Sequence, residues 1–174
     1  MRLILASKSP RRKRLLEGLG ISFGVIVSNA DEESINEENH AEHVQKVARL
    51  KVDTVAKDSP DSIIIGADSM VVLDGRRIGK PKSVDDAVRI LKMLSGQTHE
   101  VYTGVFVKNT KTGKTLSDFC KTLVTFRKLT EKEIVEWANN PDCLTGAGAY
   151  TDRIHYYFFE KLNGSHTNVM GVDI

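Results

Sequence analysis

Apolar and polar positions change period several times along the chain, and the changes mark out an alternating series of short strands and helices. The run Leu3-Ile4-Leu5-Ala6 reads as a strand. Leu15, Leu16 and Leu19 then form the stripe of a helix over 10–19, with Ser9 as N-cap, Pro10 in the first helical position and Gly18 and Gly20 as stop signals. Residues 22–28 read as a strand and 29–39 as an acidic loop, and Val44, Val47, Ala48, Val52 and Val55 place one face of a helix over 41–56. The β-rich run 63–73 closes at Asp74-Gly75, a hairpin signal leading to a short return strand and the Gly79-Lys80-Pro81 loop. Ser83 with Asp86 opens a helix over 84–94 that Gly96 ends, and Thr130 with Glu133 caps another ending before Pro141. Residues 99–108 and 114–126 read as a hairpin about Thr112-Gly113, and 153–162 with 166–172 as a last hairpin about Asn163-Gly164. The order predicts an α/β fold with a mixed sheet, as one domain over 1–174 or two small lobes sharing the sheet.

Three positions break this pattern, and each carries charge. The first helix opens on Arg11-Arg12-Lys13-Arg14, four cations at the end where the aligned peptide dipoles are already positive; each is unfavourable by roughly 0.3–1 kcal/mol. An anion at that turn reverses the sign, and free N–H groups, the Ser7 and Ser9 hydroxyls and the arginine forks make a phosphate seat. The helical stripe leans Arg11 and Arg12 inward, whereas Lys13 can pair with Glu17 and Arg14 lies off the stripe. In the second helix the buried stripe passes through Lys51, which either snorkels outward or meets a carboxylate or phosphate. In the long strand, alternation puts Asp68 on one face with Ile64, Gly66, Met70 and Val72. Gly66 is expected to leave room for a ligand or water beside a carboxylate that serves in an ion pair, as a metal ligand or as a general base. Lys80 adds a cation at the end of the same hairpin, and Asp31, Glu32 and Glu33 form an acidic group suited to a hard cation. His40 and His43 lack matching metal partners, and Gly146-Ala147-Gly148-Ala149 permits close backbone approach without completing a common phosphate-loop pattern.

A net charge of +2 gives little global attraction to nucleic acid or membrane, so the positive charge acts locally. Cys120 and Cys143 lack metal-like spacing and are expected as free thiols, and the four-residue apolar start is neither signal peptide nor membrane span; a cytoplasmic location is expected.

The separated segments Ala6-Ser7-Lys8-Ser9-Pro10-Arg11-Arg12, Asp31-Glu32, Val47-Ala48-Arg49-Leu50-Lys51, Gly66-Ala67-Asp68-Ser69, Gly79-Lys80-Pro81, Leu94-Ser95-Gly96-Gln97-Thr98-His99, Tyr102-Thr103-Gly104 and Ala147-Gly148-Ala149-Tyr150, in this order, resemble the Maf family of nucleotide pyrophosphatases. The resemblance implies a mixed, elongated central sheet flanked by helices, with two lobes around a cleft, similar to the inosine triphosphate pyrophosphatases. It implies hydrolysis of a nucleoside triphosphate to the monophosphate and pyrophosphate with a divalent cation, Mg²⁺ or Mn²⁺, in clearance of excess or non-standard nucleotides. It assigns Asp68 as proton acceptor, Ser7, Arg11, Arg12, Lys51 and Lys80 to phosphate binding, and Glu32 with Asp68 to the metal. Base choice in the resemblance falls to Arg11, Ser69 and the position of Arg153, where Thr151-Asp152-Arg153 stands in place of Gly-Ile-Gln. Arg11 favours dTTP and UTP over the alternative, a 7-methyl-GTP-type substrate. A non-catalytic nucleotide- or nucleic-acid-binding regulator of cell division is the reading from another class. Against it stand Asp68 in an apolar strand and the lack of an aromatic stacking platform, so no stable nucleic-acid complex is expected. A homodimer is compatible with the resemblance. Val172-Asp173-Ile174 replaces a Leu-Pro-containing segment and the family's following helix, a difference that bears on dimerisation or substrate closure.

Overall fold

The computed structural model describes residues 1–174, the side chain of His155 excepted. The first strand, β1 (Arg2–Leu5), leads into α1 (Pro10–Gly18) and the edge strand β2 (Gly24–Val25), and α2 (His40–Ala56) crosses to the long strand β3 (Ser62–Leu73). Then follow β4 (Arg76–Ile78), α3 (Val84–Leu94), β5 (Thr98–Asn109), β6 (Thr115–Phe126), α4 (Glu131–Ala138), α5 (His155–Phe158), β7 (Phe159–Asn163) and α6 (His166–Met170). The sheet runs β2-β1-β3-β5-β6-β7, with β4 folded back on β3. β1 is parallel to β2 and β3, while β3, β5, β6 and β7 pair antiparallel, so the sheet is mixed as expected.

Two glycines decide how α2 sits on this sheet. A Cβ on Gly66 would lie 2.6 Å from Val52 Cγ2 and 2.8 Å from the Ala48 carbonyl, and one on Gly104 would lie 2.5–2.7 Å from the backbone of Val44 and Gln45. These two residues face each other's strands, Asp68 pairing with Gly104 and Gly66 with Phe106. The space beside Asp68 expected from Gly66 is therefore filled by α2; glycine serves close helix packing there, and the valine stripe of α2 drops onto β3 and β5. Ile4, Ala48, Val52, Ile64 and Phe106 bury together on that side. The opposite side is a larger core in which α3 and α4 cover Val101, Val124 and Phe126.

Two further expectations are corrected. The strand over 22–28 shrinks to Gly24–Val25 because it forms the sheet edge, where Val25, Ile26 and Val27 are all more than two-fifths exposed. The last hairpin keeps its turn and the second half of its first arm, β7, and loses its second arm to a helix. Residues 152–158 form helical turns before β7 pairs with β6, and Ser165 then caps α6 by accepting from Asn168 N at 3.2 Å, with Gly171 ending it in the left-handed region (φ 118°). The Ser165 and Gly171 pair is a helix-boundary signal that competes with the β-branched Thr167 and Val169.

Candidate active site

The strand-to-helix turn after β1 builds one wall of a cleft of about 630 Å³, a size suited to a small ligand. Ser9 caps α1 through its hydroxyl, which accepts from Arg12 N at 3.4 Å, and Ser7 Oγ accepts from Ser9 N at 3.1 Å. The cap turns Arg12 inward. Its Nε donates to the Gly171 carbonyl at 2.8 Å, one terminal nitrogen to Ser69 Oγ at 3.0 Å and the other to Ser7 Oγ at 3.4 Å. Burial holds this guanidinium below its ordinary range, Asp68 opposes the fall, and Arg11 adds to it. Arg11 lines the same cleft and donates to Thr145 Oγ1 at 3.3 Å. The basic run is thereby divided: Arg11 and Arg12 line the cleft, while Lys13 pairs with Glu17 at 3.5 Å and Arg14 with Asp152 at 3.1 Å.

The opposite wall comes from α2 and β3. Adjacent residues of a strand face opposite ways, so Asp68 meets α2 while Ser69 meets Arg12. Lys51 Nζ lies 2.7 Å from Asp68 Oδ1 and 3.0 Å from Glu32 Oε2, with the lysine side chain only 9% exposed. Of the two fates open to Lys51, the structure gives the carboxylate partner; an ammonium between two carboxylates offsets the desolvation of a cation taken into the interior. Glu32 reaches it from the short helical turn Glu32–Ser34. Lys80 faces the group from the loop after β4, and its pKa is lowered by burial first and by Lys8, Lys51 and Arg12, with Glu32 opposing. Lysine and arginine side chains thus converge without enough carboxylate to match them, as expected of a site built for an anion.

Of the Gly146-Ala147-Gly148-Ala149 segment, Gly146 and Ala147 line the cleft. Gly148 N donates to the Gly79 carbonyl at 3.1 Å, tying it to the Lys80 loop, and Trp137 Nε1 holds the Ala149 carbonyl at 2.8 Å. Ser7, Arg11, Arg12, Glu32, Lys51, Asp68, Ser69 and Lys80 all line this one cleft. Arg153 stands apart: it pairs with Asp142 at 2.6 Å with its side chain 63% exposed, outside the cleft wall. Arg77 and Thr145, which sequence reasoning missed, also line it, as do Lys8 of the first motif and His43, which was weighed only as a metal ligand. Arg77 clips β4 to the start of α2, bonding the Nδ1 atoms of His40 at 3.3 Å and His43 at 3.0 Å and the Glu37 carbonyl; these histidines are structural acceptors. Only the return from Asp74-Gly75 could have placed Arg77 there.

The sequence model of the family described as Maf-like protein matches residues 2–174. The chain belongs to the Maf-like family. Among Maf-like relatives, a dTTP/UTP pyrophosphatase of Alkaliphilus metalliredigens (strain QYMF) is 45% identical over 176 residues, covering 99% of this chain and 91% of its own. One of Syntrophus aciditrophicus (strain SB) is 40% identical over 174 residues, covering 99% of this chain and 85% of its own. The structure of the Staphylococcus aureus Ham1 protein superposes on this Maf-like chain with a TM-score of 0.51 at 15% identity, covering 72% of each chain, a likeness of fold. Among the described residues no group of three or more His, Cys, Asp or Glu side chains is arranged for a metal, and no helix is long and apolar enough to cross a membrane.

Proposed function

We propose that this cleft hydrolyses nucleoside triphosphates to the monophosphate and pyrophosphate, with dTTP and UTP or related modified nucleotides as preferred substrates. The observation that carries the reading is the convergence of Arg12, Lys51 and Lys80 on a carboxylate, Asp68, at a capped helix start. Full-length relatives named dTTP/UTP pyrophosphatase support it. Lys51 engages Oδ1 of Asp68, which leaves the other carboxylate oxygen for a water molecule. As that water attacks, its proton passes to Asp68, the anhydride between the α- and β-phosphates breaks, and pyrophosphate leaves with the bridging oxygen. Arg12, Lys51 and Lys80 stabilise the charge that gathers on the phosphates and leaving group, so catalysis rests on positioning and electrostatics.

Glu32 and Asp68 suit a divalent ion only in a particular way. Two hard carboxylates are the usual protein contribution to a Mg²⁺ or Mn²⁺ that takes its remaining ligands from water and phosphate oxygens. Here both carboxylates already hold Lys51, so the ion would arrive with the triphosphate; when bound it supplies charge neutralisation on the phosphates. The free thiols Cys120 and Cys143 suit a reducing, cytoplasmic setting.

Base choice falls to Arg11 and Ser69 on the cleft wall, with Arg153 acting behind them. Arg153 grips Asp142, whose carbonyl accepts from Thr145 Oγ1 at 2.7 Å, and Thr145 in turn accepts from Arg11. Pyrophosphate release from a panel of nucleoside triphosphates with Mg²⁺ or Mn²⁺ tests the reading. Turnover is expected with dTTP and UTP ahead of purine nucleotides, and Arg153→Gln is expected to shift kcat/KM further towards that pair. Absence of turnover across the panel would refute the enzyme, and unchanged ratios in the variant would remove Arg153 from base selection.

A further inference from the structure

Behind the cleft lies a chain of buried polar groups that the proposed reaction does not use. Asn168, in α6, is fully buried; its Nδ2 donates to the Val101 carbonyl at 3.1 Å and to Thr122 Oγ1 at 2.8 Å. Its Oδ1 finds no partner among the described residues. Both hydrogens of this buried amide go to the sheet, so Asn168 ties α6 to β5 and β6. Thr122 Oγ1 also accepts from Ser165 N at 3.0 Å, so β5 and β6 hold both the N-cap and the middle of this five-residue helix.

The helix is connected to Arg12 twice. Thr103 Oγ1, 1% exposed on β5, lies 2.9 Å from the Asn168 carbonyl and 2.9 Å from Ser69 Oγ, and Ser69 accepts from Arg12. Ser69 and Thr103 are direct cross-strand partners. At the helix end, the Gly171 carbonyl accepts from Arg12 Nε, and a Cβ on Gly171 would sit 3.2 Å from that same nitrogen. The inner edge of the guanidinium is therefore seated in a mould made by α6, β3 and β5.

We infer that Thr103 and Asn168 are positioning residues for Arg12: they lock α6 and Ser69 so that the guanidinium presents its remaining N–H groups to the substrate phosphates in one orientation. The inference rests on the proposed hydrolysis for its kinetic consequence, though not for its structural one. A bidentate donor is only as useful as its alignment, and loss of one buried hydrogen bond in the support is worth about tenfold.

Thr103→Val removes the hydroxyl at nearly constant volume, and Thr103→Ser restores it. With dTTP or UTP, Thr103→Val is expected to lower kcat/KM about tenfold, mostly in kcat because Lys51 and Lys80 still bind, and Thr103→Ser to recover most of the loss. In an Arg12→Ala background the same Thr103→Val change is expected to matter less than about twofold, since the two residues act as one unit. Wild-type kinetics in Thr103→Val, or an undiminished loss in the Arg12→Ala background, would overturn the inference while leaving the enzyme intact. Exchange of the Arg12 Nε–H with solvent, followed by NMR, is a readout independent of turnover. Thr103→Val should speed it severalfold, and an unchanged rate would overturn the positioning role even in a protein that hydrolyses none of the nucleotides.

Discussion

At Lys51 an unfavourable burial and a useful position coincide. The side chain interrupts a valine stripe, and the structure explains why it can do so: Asp68 and Glu32 lie within 3.0 Å of its ammonium. Lys51→Met is expected to leave Asp68 partly buried without that partner, lowering stability by about 1–3 kcal/mol and kcat/KM by about a hundredfold. Urea unfolding and pyrophosphate release check the two effects separately; a variant as active as the parent would take Lys51 out of the site. Lys51, Asp68 and Arg12 were legible in the sequence because each is an ionic group on a face that should be apolar. Arg77 and Thr145 were not, because each looks like an ordinary surface residue until the chain folds back.

His99 gives a second test at this scale. It is 1% exposed, packed edge-on against Phe126 at 4.9 Å, with Nε2 at 2.8 Å from the Tyr150 hydroxyl. Burial pushes its pKa down from 6.5 to about 4. The ring is neutral in the fold and takes up a proton on unfolding below pH 6.5, so stability falls as the pH drops from there towards 4, by on the order of 3 kcal/mol. Urea midpoints measured at pH 7 and pH 4.5 should differ more in the wild type than in His99→Gln; equal differences would show that this imidazole does not govern acid stability.

Among the elements, α2 matters most because the Lys51–Asp68 contact depends on how closely it approaches the sheet. Gly66 and Gly104 set that approach, and neither function was visible from the sequence, where a glycine in a strand suggests equally a bulge, a ligand or a neighbouring backbone. Gly104→Ala places a methyl group within 2.7 Å of α2 backbone atoms. It is expected to destabilise the protein by about 1–3 kcal/mol and to lower turnover by shifting Lys51; thermal unfolding and kinetics of the same preparation would expose the error if both stay at wild-type values. The helices with capping residues and strong stripes were legible, as were β3, β5 and β6. The 152–172 region was not, since two helical segments of four and five residues are too short to show a period, and the second is held by tertiary bonds from Asn168 to Thr122 and Val101.

For the whole molecule, a nearly balanced net charge of +2 conceals a cleft where Lys8, Arg11, Arg12, Lys51 and Lys80 outnumber Glu32 and Asp68. Raising salt from about 20 mM to about 500 mM shortens the screening length several-fold, so kcat/KM for a triphosphate should fall severalfold, while a flat response would mean that the cationic wall contributes little to capture. The mixed sheet and the gathering of separated motifs were both legible at this scale, because strand order and ionic anomalies are carried by long segments. In the proposed reaction Asp68 takes the proton from water in that cleft. Pyrophosphate release from dTTP or UTP by Asp68→Asn measures it most directly. The variant, which keeps the shape and loses the base, is expected to fall by at least about a hundredfold in kcat; turnover at the parental rate would contradict the assignment.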